Sequence, residues 1–579
     1  MNRFGSRLLL VSVALLLAFS RPVSAVPPLA IQTPPGAAVA TAHPLATAAG
    51  IEILAAGGNA FDAAVAVSAT LAVVEPYSSG LGGGGFWLLH DAKTARSLML
   101  DGRERAPQSA GPDLLLNANG EYDRALALDT ARGSGIPGMV AALDWLAAER
   151  ARFPLAQLLA PAIRAAEQGF EVSEHFLRLL EYRIDVLRES PAGAVFLVDG
   201  APPALGTRIV QPDLAATLRA VATSGRDGFY LGPVADALVA GANARGAEWS
   251  LEGLAAYEVA LRIPHTFTYR DIEVTTASLP SSGGVVLAET LAMLEAHNFE
   301  ALSDPDQRHL VLEAMRRAYR DRALYLGDPD FVEVPVAELT APYYLARLGD
   351  DIDLTRATPS AELVSPALSH PASGSGTDTT HFSIIDTDGN RVAATLSINT
   401  LFGSGQMPPG TGVLLNNELD DFAPGMSMPN AWGLVGGRAN QVEASKRPLS
   451  SMSPTFLDDG ARVAVLGTPG GSRIISMVLL GILDFSRGGS AASMVSRPRF
   501  HHQYLPDVVQ FEQGGLSAPE QADLVRRGHS LEQLARTYGN MQVVIWDRVG
   551  GTLRAAADPR GEGAAAVIDL PRPRALPQR

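Results

Sequence analysis

Residues 378–383 read Asp378-Thr379-Thr380-His381-Phe382-Ser383, with two hydroxyl side chains at the first positions of a β-rich run. The residues before them, 365–378 (SPALSHPASGSGTD), are Ser, Pro, Gly and Ala without any periodicity that could bury a face, so they read as a flexible linker or loop. A cut before Thr379 turns that threonine into a chain terminus. An N-terminal threonine carries nucleophile and base together, because its α-amine, with a pKa of about 7.7–8.0, is partly neutral near pH 7. No histidine or distant carboxylate is then needed. On composition alone, an ordinary threonine at the start of a strand accounts for the same residues.

Working outward, 380–387 and 391–399 are strand-like runs joined by Asp388-Gly389-Asn390, a hairpin signal. Further on, 462–466 reads as a buried strand. It enters the turn Gly467-Thr468-Pro469-Gly470-Gly471-Ser472 and then an apolar helix over 473–485, an order that leaves free backbone N–H groups at a helix start. Upstream, helices are expected over 44–56, 60–74 (with Asn59 as cap), 139–151, 173–189 and 304–326, with Ser173 and Asp304 as N-caps. The charges of 313–322 read as a solvated or salt-bridged helix face.

The 579-residue chain is 47% hydrophobic and carries 46 Lys and Arg against 61 Asp and Glu, a formal net charge of −15. No basic block meets phosphates, so no nucleic-acid partner is expected. There is no cysteine, which excludes disulfides, thiolate metal sites and cysteine nucleophiles. Arg3 and Arg7 precede the apolar run 8–19, and Val23-Ser24-Ala25 offers a signal-peptidase site. Residues 1–25 therefore read as an export signal cleaved after Ala25, with an uncleaved anchor as the alternative. No membrane span is expected in the mature chain, and the location is periplasmic or secreted.

Residues 80–85 satisfy G-x-G-x-x-G, but they follow a helix and lead into a strand, so a tight turn with close backbone approach is the better reading than a nucleotide fingerprint. Asp386-x-Asp388-Gly389-Asn390 is read as a β-turn rather than a calcium loop. His501-His502 and the other histidines are read as lacking an i, i+4 carboxylate partner, and neither a metal nor a cofactor is expected.

Seven runs in order, 57–64 (GGNAFDAA), 79–86 (SGLGGGGF), 103–107 (RERAP), 379–383 (TTHFS), 416–422 (NNELDDF), 446–455 (KRPLSSMSPT) and 467–473 (GTPGGSR), resemble the γ-glutamyltransferases. The likeness runs from about Val39 to Asp558-Pro559-Arg560. It implies an α+β N-terminal-nucleophile hydrolase, a four-layer αββα sandwich built from a large subunit (26–378) and a small subunit (379–579) cut from one precursor. Thr379 is then the autoprocessing residue and the nucleophile, Gly470 and Gly471 the oxyanion hole, and Ser397 a support for processing that stands where a threonine is usual. Arg103, Ser450 and Ser451 match the groups that hold a substrate α-carboxylate, Asp421 the group that pairs with the α-ammonium, and Asn399 and Glu418 the polar residues that complete the pocket. Residues 426–437, with Trp432, resemble a lid loop. The implied substrates are γ-glutamyl compounds such as glutathione, with water, amino acids or peptides as acceptors. The alternatives are a glutaryl or cephalosporin acylase, for which retention of Asp421 is unfavourable, and an unprocessed, inactive exported binding protein.

Overall fold

The computed structural model describes residues 33–363, 379–423 and 428–570. The expected leader, the whole linker 365–378, and Met426 and Ser427 of the expected lid lie outside the described residues.

Strand Arg391–Ser397 sits in the middle of a seven-stranded sheet, paired antiparallel with Thr380–Ile385 on one side and Gly84–Asp91 on the other. The full order is Ala564–Ile568, Ala37–Thr41, Thr380–Ile385, Arg391–Ser397, Gly84–Asp91, Arg96–Asp101, Ala260–Arg262. Successive side chains leave opposite faces of a strand. Trp87, Leu89, Phe382 and Ile384 therefore join one core, and Phe86, Leu88 and Ile385 the other. Both faces are covered, which is why these strands read as nearly continuous apolar runs.

The outer face carries helices Pro44–Ala55 and Ala60–Val74. Asn59 and Asp62 form a reciprocal capping box at the start of the second helix. Asp386 in the strand hairpin adds to this cap: one carboxylate oxygen accepts from the amides of Asp388 and Asn390, both at 2.9 Å, and the other accepts from Ala60 N at 2.8 Å. The β-turn expected at this hairpin is present, and its acid also ties the hairpin to the helix layer.

The inner face packs on a six-stranded sheet in the order Thr552–Ala557, Gln542–Asp547, Arg462–Gly467, Thr455–Asp458, Ile272–Thr276, His265–Tyr269. Helices Gly283–Ala296, Asp304–Tyr325 and Ile474–Ser486 belong to the same core beyond it. The result is the four-layer helix, sheet, sheet, helix sandwich.

Three local expectations need correction. The helix at 173–189 is two pieces, Glu174–Leu180 and Ile184–Arg188, although Ser173 does cap the first by accepting from Phe176 N. The cap of Asp304–Tyr325 is Ser303, one residue earlier than expected, with Asp304 already inside the first turn. The charge run on that helix is not solvated: Glu313, Arg316, Arg317, Asp321 and Arg322 are all buried. It is salt-bridged, with Glu313 accepting from both Arg316 (3.2 Å) and Arg317 (2.7 Å).

Candidate active site

The glycine run 82–85 sets the floor of the site. A Cβ on Gly83 would lie 2.2 Å from Ser397 O, and one on Gly84 would lie 2.2 Å from Gly102 O. Only glycine lets these backbones touch. The contacts bring Ser397, at the end of one central strand, close to Gly102 and so to Arg103.

Thr379 immediately precedes strand Thr380–Ile385, whose first residue faces Leu396 across the ladder. It is buried and lines one cavity together with Arg103, Ser397, Asn399, Glu418, Asp421, Trp432, Ser450, Ser451 and Gly471. Residues from distant parts of the sequence thus meet as expected. Gly470 stands one residue behind the cavity lining, and Leu434, Met452, Ser472 and Ile474 complete the wall.

Arg103 is fully buried and caged. Its guanidinium donates to Glu418, to Asp421 Oδ2 at 2.6 Å and to Pro448 O at 3.3 Å. Burial raises the pKa of Asp421, opposed by Arg103. Glu418 is pushed up to about 7 by burial, opposed by Arg103 and reinforced by Asp421. Glu418 Oε2 is buried with no hydrogen-bond partner, an acceptor suited to an ammonium donor. Glu104 has neither carboxyl oxygen hydrogen-bonded, and burial raises its pKa well above the ordinary carboxylate value, reinforced by Glu418 and opposed by Arg103.

The serines complement this cage. Ser450 Oγ accepts from Met452 N at 3.1 Å, and Ser451 Oγ accepts from Arg322 at 3.4 Å. Each hydroxyl keeps its own proton to give, which is what a carboxylate requires.

Across the cavity, Gly470-Gly471-Ser472 opens a short 3-10 turn that runs into helix Ile474–Ser486. A Cβ on Gly471, whose φ is +56°, would fall 2.2 Å from the Trp432 ring. The indole therefore lies flat against this residue. Trp432 Nε1 donates to Asn399 Oδ1 at 2.8 Å, and Asn399 Nδ2 donates to Asn417 O at 2.9 Å. Asn430 ties the same loop to the cage: its Nδ2 donates to Asp421 Oδ1 at 2.9 Å, while its Oδ1 accepts from Trp432 N and Leu434 N, both at 3.0 Å.

Sequence reasoning missed Glu104, Asn430, Arg322, Ser472 and Gln503. Glu104 was within the motif 103–107, and its place next to Arg103 in that run was the available signal; the others are single polar residues that composition does not distinguish. It also misread the histidines. His309 and Glu313 are one helical turn apart and, with His529, form the group of possible metal ligands found among the described residues, their ligating atoms within 4.8 Å of one another. These atoms are already engaged. His309 bonds His529 (2.8 Å) and Asp353 O (2.9 Å), His529 lies 3.4 Å from Arg316, and Glu313 holds two guanidiniums. A cation there would have to displace those arginines, so the cluster is a structural bond network.

The sequence pattern of the Gamma-glutamyltranspeptidase family matches residues 46–568. The chain belongs to that family. It is 39% identical over 530 residues to the glutathione hydrolase proenzyme of Escherichia coli (strain K12), covering 90% of each chain. It is 40% identical over 544 residues to the glutathione hydrolase proenzyme of Pseudomonas aeruginosa, covering 92% of this chain and 95% of that one. Among solved structures, cephalosporin acylase from Bacillus halodurans superposes with a TM-score of 0.80 at 27% identity, covering 95% of this chain and 98% of the other. The family is one of N-terminal-nucleophile hydrolases, in agreement with the four layers. Among the described residues no helix is long and apolar enough to cross a membrane.

Proposed function

We propose that this protein is an exported γ-glutamyltransferase and glutathione hydrolase, made as a precursor that loses 1–25 and cuts itself between Asp378 and Thr379 into subunits 26–378 and 379–579. The observation that carries the reading is that one cavity holds Thr379 beside a buried guanidinium, two carboxyls and two serines with protons to give. A γ-glutamyl group presents the complement: an α-carboxylate, an α-ammonium and a remote amide carbonyl.

In maturation, Thr379 Oγ attacks the Asp378 carbonyl, the peptide nitrogen leaves as the new α-amine, and water hydrolyses the resulting ester. Ser397, one residue past Leu396 on the neighbouring strand, supports this step. In turnover, the α-amine takes the hydroxyl proton as Thr379 Oγ adds to the γ-carbonyl. Gly470 and Gly471 N–H groups meet the oxyanion without reorganising. The intermediate collapses to a γ-glutamyl ester while the leaving amine departs with the proton. Water or an acceptor amine then releases the glutamyl group.

Arg103, Ser450 and Ser451 hold the α-carboxylate, and Asp421 with Glu418 Oε2 receives the α-ammonium, with Asn399 completing the pocket. Since Arg103 is caged by those same carboxyls, substrate binding exchanges part of an internal ion-pair set for an equivalent one. The test is glutathione turnover by purified mature protein, with free glutamate, or γ-glutamyl transfer to a dipeptide acceptor, as product. A protein that stays one chain and turns over nothing would reject the reading in favour of a binding protein.

The likeness to cephalosporin acylase makes a glutaryl donor the second reading. Two carboxyls at the ammonium position oppose it, because a glutaryl group draws on Arg103 with its carboxylate and brings no ammonium to compensate Glu418 and Asp421.

A further inference from the structure

Gln503 touches two parts of the site and has no role in the reading above. It is buried, and each end of its amide is used twice. Its Nε2 donates to Trp432 O at 3.1 Å and to Leu505 O at 3.2 Å. Its Oε1 accepts from Ser472 Oγ at 2.6 Å and from His501 Nε2 at 2.8 Å. The two carbonyls fix which way the amide points, because a flipped amide would set an oxygen against both. His501, buried beside Arg473 and held down to about 3, is neutral and gives its Nε2 proton to Gln503. Ser472 is gripped from its other side by Tyr319, whose hydroxyl donates to Ser472 O at 2.5 Å.

Among the described residues, these bonds join two pieces of the site. One is the Trp432 loop, whose indole lies on Gly471. The other is the glycine turn that presents Gly470, Gly471 and Ser472. Resting on the γ-glutamyltransferase reading, we propose that Gln503 is a positioning residue that clamps the Trp432 loop to the glycine turn, keeping water from the γ-glutamyl ester and so favouring transfer to an amine over hydrolysis. The amide suits this task because it supplies donors to the loop and acceptors to the turn from one rigid plane. Neither a carboxylate nor a hydroxyl does both.

Gln503→Glu separates the two halves. It keeps an oxygen for Ser472 and His501 but sets a second oxygen, charged at high pH, against the carbonyls of Trp432 and Leu505. Once protonated at low pH, the introduced carboxyl donates to the loop again. The titratable and charged groups around it are His501, its chain neighbour His502, Tyr319 against the His501 ring and, beyond His501, Arg473. The mature variant should therefore show a transfer-to-hydrolysis ratio about 30-fold below wild type at pH 8, the size of two ordinary hydrogen bonds, recovering toward wild type as pH falls to 5. Acrylamide quenching of Trp432, taken as the difference from the same variant in a Trp432→Phe background, should rise and fall in parallel. Gln503→Ala should show both effects without the pH recovery. If Gln503→Ala fails to mature, Gln503→Glu alone carries the test.

A ratio and a quenching constant within twofold of wild type across pH 5–8 in mature Gln503→Glu would overturn the proposal. So would a loss that does not change with pH, which marks a merely structural residue. If wild-type protein turns over no γ-glutamyl donor, the enzymatic reading fails by itself, while the quenching comparison still decides whether Gln503 holds the loop.

Discussion

Arg103→Lys is the most informative perturbation of the substrate cage. Arg103→Ala would leave Glu418 and Asp421 buried without their cation, a change that costs about 3–5 kcal/mol in a buried pair and would blur any kinetic effect. Lysine keeps the positive charge between the two carboxyls but removes the planar fork, so it cannot hold both oxygens of a substrate carboxylate while still serving the cage. The expected loss is one charge-assisted hydrogen bond, about 1.5–3 kcal/mol, or about 10- to 150-fold in kcat/KM. The assay compares a γ-glutamyl anilide with the γ-aminobutyryl anilide, which lacks the α-carboxylate, using mature enzyme whose subunits have been verified by gel. The loss should appear with the first donor and largely vanish with the second. Equal losses for both donors, or a kcat/KM within twofold of wild type for the first, would refute the assignment of Arg103 to the α-carboxylate.

Other perturbations probe neighbouring parts of the account. Asp421→Asn must aim its amide nitrogen at Arg103, because Asn430 cannot flip without losing Trp432 N and Leu434 N. It should lower kcat/KM for γ-glutamyl donors and raise the glutaryl-to-γ-glutamyl ratio, and an unchanged ratio would return the ammonium role to Glu418 alone. Gly471→Ala should cost about 1–2 kcal/mol for its left-handed backbone and push the Trp432 ring away. The check is a fall in kcat with a parallel change in Trp432 fluorescence. Glu75 accepts from Thr380 Oγ1 at 2.6 Å, next to the nucleophile, and burial pushes its pKa up to about 8. Its neutral form is the stable one in the fold. That contribution is fully present below the unfolded pKa near 4.5 and is lost as pH rises through 8. Glu75→Gln should match wild type in denaturant unfolding at acid pH and exceed it progressively up to pH 8, by on the order of 4 kcal/mol. A flat difference across that range would show that Glu75 is not held neutral.

How far the sequence went depended on whether a feature was local. The Asn59 cap, the hairpin at Asp388–Asn390 and the strand, glycine turn and helix at 462–486 are set by neighbours in the chain, and all were legible, though the reciprocal bond from Asp62 was not read. The charge run of 313–322 was half legible. Its ion pairs follow from i, i+3 and i, i+4 spacing, but its burial depends on the segment 354–360 and the loops near 504 and 527 folding over it. The cage around Arg103 was visible only as separate motifs. Arg103 and Glu418 are 315 residues apart, and nothing local shows that the carboxyls bind the guanidinium as well as the substrate. Gln503 gave no signal because an uncharged amide has neither periodicity nor charge, and its importance lies wholly in where four partners converge.

The central claim is that Thr379 becomes the N-terminus and then the nucleophile. Its most direct test is a denaturing gel of purified wild-type and Thr379→Ala protein, with N-terminal sequencing of the smaller wild-type band. The account predicts two wild-type fragments, the smaller beginning Thr379-Thr380-His381, and a single uncut chain for Thr379→Ala. Thr379→Ala cut at the same bond without added protease, or a wild-type chain that stays whole yet hydrolyses γ-glutamyl donors, would contradict it.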